Sequence, residues 1–118
     1  MLNVMAIDDD PDVLCAIAAM LESWGYMVTP VPSTEEAIAC VRRGDVPDAI
    51  VSDYRLRDGD TGLVAIQEIS REIGKSVPTV IITGAEVTPD LTASGVLVVK
   101  KPVSPRQLRT LMTAMDYF

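Results

Sequence analysis

The stretch Leu2-Asn3-Val4-Met5-Ala6-Ile7-Asp8-Asp9-Asp10-Pro11-Asp12-Val13-Leu14 decides the fold. Residues 2–7 form a short apolar run that reads as a buried strand. It ends in three carboxylates, and Asp10-Pro11 is the signature of a helix start, an N-cap followed by proline at the first helical position. Val13, Leu14, Ile17, Met20 and Leu21 then recur at helical spacing until Gly25 stops the helix. A strand that hands over directly to a helix is the first half of a βαβ unit, and the same alternation continues along the chain.

Four further apolar runs, at residues 26–30, 49–52, 79–83 and 96–99, give five expected strands. Their near-continuous hydrophobicity predicts burial on both faces, as in a parallel sheet. Ser33 and Glu36 form a capping box that opens a helix through Ala37, Ile38 and Val41 to Gly44. Another helix starts near Thr61-Gly62, with Leu63, Ile66, Ile69 and Ile73 on one stripe, and ends at Gly74. The last begins at Ser104-Pro105-Arg106-Gln107 and carries Leu108, Leu111, Met112 and Met115 towards the core. Between the last two strands, residues 86–95 contain Pro89 and only Val87 and Leu91 as large apolar residues, so a short or irregular fourth helix is expected there. The reading is one α/β domain over residues 1–118, an open doubly wound sheet with helices on both faces.

Composition narrows the chemistry. The 118 residues hold no histidine, which removes Ser-His-Asp and Cys-His nucleophilic systems and HExxH zinc sites. Cys15 and Cys40 lack CxxC pairing and are expected to be reduced, buried space-fillers. Ten Lys and Arg against 17 Asp and Glu give a net charge of −7, unfavourable for nucleic acid or an anionic membrane and favourable for cations and basic partner surfaces. No apolar run has the length of a membrane span and the N-terminus lacks the pattern of a signal peptide, so a cytoplasmic location is expected.

Ligands of doubly wound sheets bind beyond the carboxyl ends of the strands. The residues at those ends are Asp8, Asp9 and Asp10, then Asp53, then Thr83-Gly84, then Lys100-Lys101-Pro102. Singly each has an ordinary role: Asp10 as helix cap, Asp12 as a solvated first-turn acid, Asp58 and Asp60 as turn and capping residues around Gly59, and Trp24 as a packing residue. Jointly, Asp8, Asp9 and Asp53 with Thr83 and Lys101 put three carboxylates, a hydroxyl and an ammonium at one sheet edge, where like charges repel unless a cation joins them. Mg²⁺ suits such an all-oxygen set, and Asp8, Asp9 and Asp53 can supply it. A carboxylate beside the metal can also act as a nucleophile towards phosphorus, with Lys101, Thr83 and backbone N–H groups near Gly84 facing the phosphoryl oxygens.

In order and spacing, Asp8-Asp9, the isolated Asp53, Thr83-Gly84 and Lys101-Pro102 resemble the receiver domain of two-component response regulators, over essentially the whole chain. The resemblance implies a flavodoxin-like sheet of order 2-1-3-4-5. It implies that Asp53 takes a phosphoryl group from a phosphohistidine on a sensor histidine kinase or histidine phosphotransfer protein. The implied Mg²⁺ ligands are Asp8, Asp9, Asp53 and the backbone carbonyl of Arg55. Lys101 and Thr83 would contact the phosphoryl group, and a cis peptide is implied at Lys101-Pro102. A downstream effector protein would read the change, in trans or through a longer parent chain.

The chain departs from the family pattern in three places. Val98 stands where an aromatic is usual, three residues before Lys101. The stretch from Thr83 to Lys101 is short. The loop from Asp53 to Gly62 is one residue longer than is usual and has Arg57 where proline is common. This loop and Lys101-Pro102-Val103-Ser104-Pro105 look most like receivers attached to hybrid sensor kinases. Two other readings compete: a phosphorylation-independent interaction module, and a Mg²⁺-dependent phosphohydrolase with an Asp nucleophile. The second is disfavoured because its nucleophile belongs after the first strand and because the chain is too short for a lid.

Overall fold

The computed structural model describes residues 2–56, 61–84 and 95–115. The chain runs β1 (Asn3–Ile7), α1 (Pro11–Ser23), β2 (Met27–Val31), α2 (Thr34–Arg42), β3 (Ala49–Asp53), α3 (Gly62–Ile73), β4 (Thr79–Thr83), β5 (Leu97–Lys100) and α4 (Pro105–Met115). The strands form one parallel sheet in the order β2-β1-β3-β4-β5. This is the expected doubly wound architecture. The strand order reverses between β1 and β3, and the crevice there opens at their carboxyl ends.

Side chains that alternate along each strand feed two cores. Val4 and Ala6 of β1, Ala49 and Val51 of β3, and Val80 and Ile82 of β4 pack with Ile17 and Leu21 of α1 and Leu108, Met112 and Met115 of α4. The intervening Met5, Ile7 and Ile50 pack with Ala37, Cys40 and Val41 of α2 and Ala65 and Ile69 of α3. A smaller cluster of Ile66 and Ile81, with Tyr54, Leu63, Val96 and Val98 against it, joins α3 to β4 and β5.

The helices start as their sequences predict. The Asp10 carboxylate accepts from the Asp12 and Val13 N–H groups, Ser33 Oγ from Glu36 N–H, Thr61 Oγ1 from Val64 N–H and Ser104 Oγ from Gln107 N–H. Thr61 therefore caps α3. Gly74 ends that helix at φ 89°, a left-handed conformation that glycine adopts without penalty. Trp24 is half-buried against the first core, with the Arg109 guanidinium 5.9 Å from its ring centre.

Several expectations need correction. β2 lies one residue later than expected, and β3 runs on to include Asp53, so the candidate nucleophile is the last residue of a strand. β5 likewise starts and ends one residue late. Burial on both faces holds for β1, β3 and β4 but not at the edges: Met27 in β2 is 60% exposed. Cys15 is exposed, because the buried stripe of α1 passes through Ile17, Ala18 and Leu21 and leaves position 15 on the outer side; Cys40 is buried as expected. The expected irregular helix at 86–95 falls, apart from Gly95, outside the described residues, as do Arg57, Asp58, Asp60, Tyr117 and Phe118. Among the described residues no helix is long and apolar enough to cross a membrane.

Candidate phosphoryl and metal site

β1 and β3 are hydrogen-bonded neighbours with Ile7 opposite Ser52, so the residues that follow, Asp8 and Asp53, emerge side by side at the sheet edge. Asp9 completes a triad whose facing carboxylate oxygens all lie within 4.8 Å of one another. Asp8 and Asp53 are buried, 7% and 9% exposed, and Asp9 is partly buried. One Asp8 oxygen accepts from the Asp10 N–H at 2.9 Å, which couples its orientation to the start of α1.

The electrostatics of this triad are unfavourable without a cation. Burial pushes the Asp8 carboxyl above its ordinary range, and the negative charges of Asp53 and Asp9 push the same way. The Asp10 N–H and the Lys101 ammonium pull it back only in part. An all-oxygen donor set held close, two members of it buried, matches the coordination chemistry of Mg²⁺.

On the other side of Asp53 stands Lys101, delivered by the turn after β5, with Nζ 3.2 Å from Asp53 Oδ1. The Lys101 N–H donates to the Thr83 carbonyl at 2.8 Å, and the Lys101-Pro102 peptide is cis. Thr83 is 1% exposed at the end of β4. Asp53, Tyr54, Arg55, Thr83, Gly84 and Lys101 line a cleft of about 360 Å³. Lys100 is exposed and lies outside this cleft lining.

The structure thus gathers Asp8, Asp9, Asp53, Thr83, Gly84, Arg55 and Lys101 at one edge. Arg55 is exposed and bridges to Thr61 across the loop. Gly84 is not crowded: among the described residues a Cβ there would meet Lys101 Cδ alone, at an ordinary 3.7 Å.

Among the described glycines the one that is sterically required is Gly62, which sequence reasoning treated as a helix start. A Cβ on it would lie 2.6 Å from the Asp53 carbonyl oxygen and 2.9 Å from Ile81 Cδ1. The signal was available, since glycine in the first turn of a helix marks a close approach of backbones. Tyr54 was also missed. Its N–H donates to the Ile82 carbonyl at 2.9 Å and its carbonyl accepts from Gly62 N–H, so the peptides flanking Tyr54, directly after Asp53, are held between β4 and α3.

With this arrangement established, comparison with known proteins decides the family. The model of the response regulator receiver domain matches residues 4–113. The chain belongs to that family. It is 30% identical over 117 residues to an uncharacterised 14.6 kDa protein of Leptolyngbya boryana, covering 94% of this chain and 87% of that protein. It is also 30% identical over 82 residues to the transcriptional regulatory protein ZraR of Salmonella typhimurium, a match that takes in 70% of this chain but only 18% of the regulator. Among solved structures, a response regulator receiver protein from Sinorhizobium medicae superimposes with a TM-score of 0.82 at 26% identity, over 97% of this chain and 93% of that one. Receiver domains of this kind are signalling phosphoacceptors.

Proposed function

We propose that Asp53 is the phosphoacceptor of this receiver and that Asp8, Asp9 and Asp53, with the Arg55 backbone carbonyl, hold Mg²⁺ beside it. The observation that carries the reading is the placement of the Asp53 carboxylate between two further carboxylates and the Lys101 ammonium at 3.2 Å, facing a cleft large enough for a phosphoryl group. When bound, Mg²⁺ supplies counter-charge for the clustered carboxylates and for the phosphoryl oxygens. An Asp53 oxygen forms the new O–P bond as the N–P bond of a donor phosphohistidine breaks, and the leaving imidazole takes up a proton. Lys101 pairs with one phosphoryl oxygen, and the Thr83 hydroxyl and backbone N–H groups near Gly84 face the others. These 118 residues hold no histidine, so the donor belongs to a sensor histidine kinase or a histidine phosphotransfer protein. A downstream effector protein reads the modified state, in the cytoplasm. The chain acts on no substrate but its own phosphoryl group.

Intact mass after incubation with acetyl phosphate tests this. One phosphate-sized increase that needs both Mg²⁺ and Asp53, and is lost in Asp53→Asn, is the expected result. No increase in folded protein that demonstrably binds Mg²⁺ would overturn it and leave the phosphorylation-independent interaction module.

A further inference from the structure

Tyr54 borders two compartments. It lines the Asp53 cleft together with Thr83, Gly84 and Lys101, and its half-buried side chain packs against the Ile66 and Ile81 cluster that Leu63, Val96 and Val98 share. Its main chain has little freedom, bonded through N–H to Ile82 and through C=O to Gly62. The preceding carbonyl, that of Asp53, accepts from Ser52 Oγ at 2.9 Å and has Gly62 against it. A group entering the cleft therefore meets a residue whose backbone is fixed and whose ring alone can yield. Close-packed interiors pass such a displacement to the neighbours.

Those neighbours lie on α3 and β5. Val98 stands directly opposite Ile81 in the β4–β5 register, three residues before Lys101. Valine is branched at Cβ and stiff at χ1, so it cannot swing into a vacated space. Trp24 and Tyr26 pack in the core on the opposite face of the sheet. Among the described residues Tyr54 is thus the aromatic side chain of this face. It combines a large apolar area with few rotatable bonds, which suits it to carry a displacement.

We propose that Tyr54 is the positioning residue through which occupancy of the Asp53 cleft reaches the α3–β5 face, with Leu63, Val96 and Val98 as the receiving patch. The inference rests on the reading of Asp53 as phosphoacceptor. The phosphorylated side chain carries roughly two negative charges where the free carboxylate carried one, and it is bulkier beside the ring. The ring shifts against Ile81, and β5 and the first turn of α3 repack around it.

Hydrogen exchange read by mass on peptides spanning β5 and α3, with and without beryllofluoride and Mg²⁺, tests the coupling in wild type, Tyr54→Phe and Tyr54→Leu. Exchange does not register the loss of a ring current. In wild type the ligand is expected to change β5 exchange at least threefold, and Tyr54→Phe to retain that response. With beryllofluoride supplied at a concentration that saturates each variant, Tyr54→Leu is expected to show less than a third of the wild-type β5 response. Should Tyr54→Leu not fold, Tyr54→Met takes its place. A full β5 response without the ring overturns the inference, as does a phosphorylatable wild type whose β5 exchange ignores the ligand. A wild type that takes no phosphate at Asp53 fails the underlying reading instead, and intact mass identifies that case separately.

Discussion

Replacing Gly62 with alanine puts the docking of α3 on β3 to a direct test. The added Cβ would stand 2.6 Å from the Asp53 carbonyl oxygen, 2.9 Å from Ile81 Cδ1 and 3.2 Å from Tyr54 Cα. Carbon atoms attract best near 3.5 Å or beyond, so the Ile81 contact alone is about 0.6 Å too short. The carbonyl contact is with backbone, which a rotamer change cannot relieve, and Ile81 is fully buried. Overpacking costs about 1–3 kcal/mol, and a clash with backbone belongs to the upper part of that range, about 2–3 kcal/mol. The better helix propensity of alanine returns at most about 1 kcal/mol, which leaves a net loss of about 1–2 kcal/mol. Unfolding entropy near 2.1 cal/mol/K per residue amounts to about 250 cal/mol/K for 118 residues, so the melting temperature should fall by about 4–8 °C. Circular dichroism melts, paired with Trp24 fluorescence, measure it. Gly84→Ala is the control: among the described residues its Cβ meets Lys101 Cδ alone, at 3.7 Å, and it should stay within about 0.5 kcal/mol of wild type. An unchanged or raised melting temperature for Gly62→Ala, or equal losses at both glycines, would refute the close approach of α3 to Asp53.

The remaining predictions concern the charges. The folded-state pKa of Asp8 is raised, so its contribution to stability is fully present below the unfolded carboxyl pKa and is lost as pH rises through the folded value. In Mg²⁺-free buffer at pH 7, Asp8→Asn should therefore melt higher than wild type, and the gain should vanish on acidification below about pH 4; a variant that melts lower at pH 7 contradicts the repulsion. Lys101→Ala removes an ion pair whose lysine is 40% exposed, so stability should change by less than about 1 kcal/mol. Phosphate uptake from acetyl phosphate should nevertheless fall tenfold or more, as followed by intact mass. Asp10→Ala deletes the acceptor for two N–H groups at the start of α1 and should cost about 1 kcal/mol in a urea titration, most of it restored by Asp10→Ser.

Much of this molecule was legible in its residues. Runs of β-branched residues, four side-chain caps and Gly74 mark where strands and helices begin and stop, because those signals act within a few residues of the chain. The site residues were legible for a related reason: in a parallel sheet whatever follows a strand lies at one edge, so Asp8, Asp53, Thr83 and Lys101 converge once the strands are assigned. Errors fell where neighbours decide. The one-residue shifts of β2, β3 and β5 follow from hydrogen-bonded register with adjacent strands, and the exposure of Cys15 from which side of α1 meets the sheet.

Sequence alone determined the alternation of elements, the chemistry available without histidine, and the set of side chains at the strand ends, since these depend on residue type and spacing. Tertiary structure decided the distances: the 3.2 Å approach of Lys101 to Asp53 and the clustering of three carboxylate oxygens within 4.8 Å. It also decided that, among the described residues, Gly62 and not Gly84 is the glycine without room for a side chain, and that Tyr54 bridges the cleft and the α3–β5 patch. Each of these joins segments far apart in the chain, and only the packing of the sheet against its helices brings them into contact.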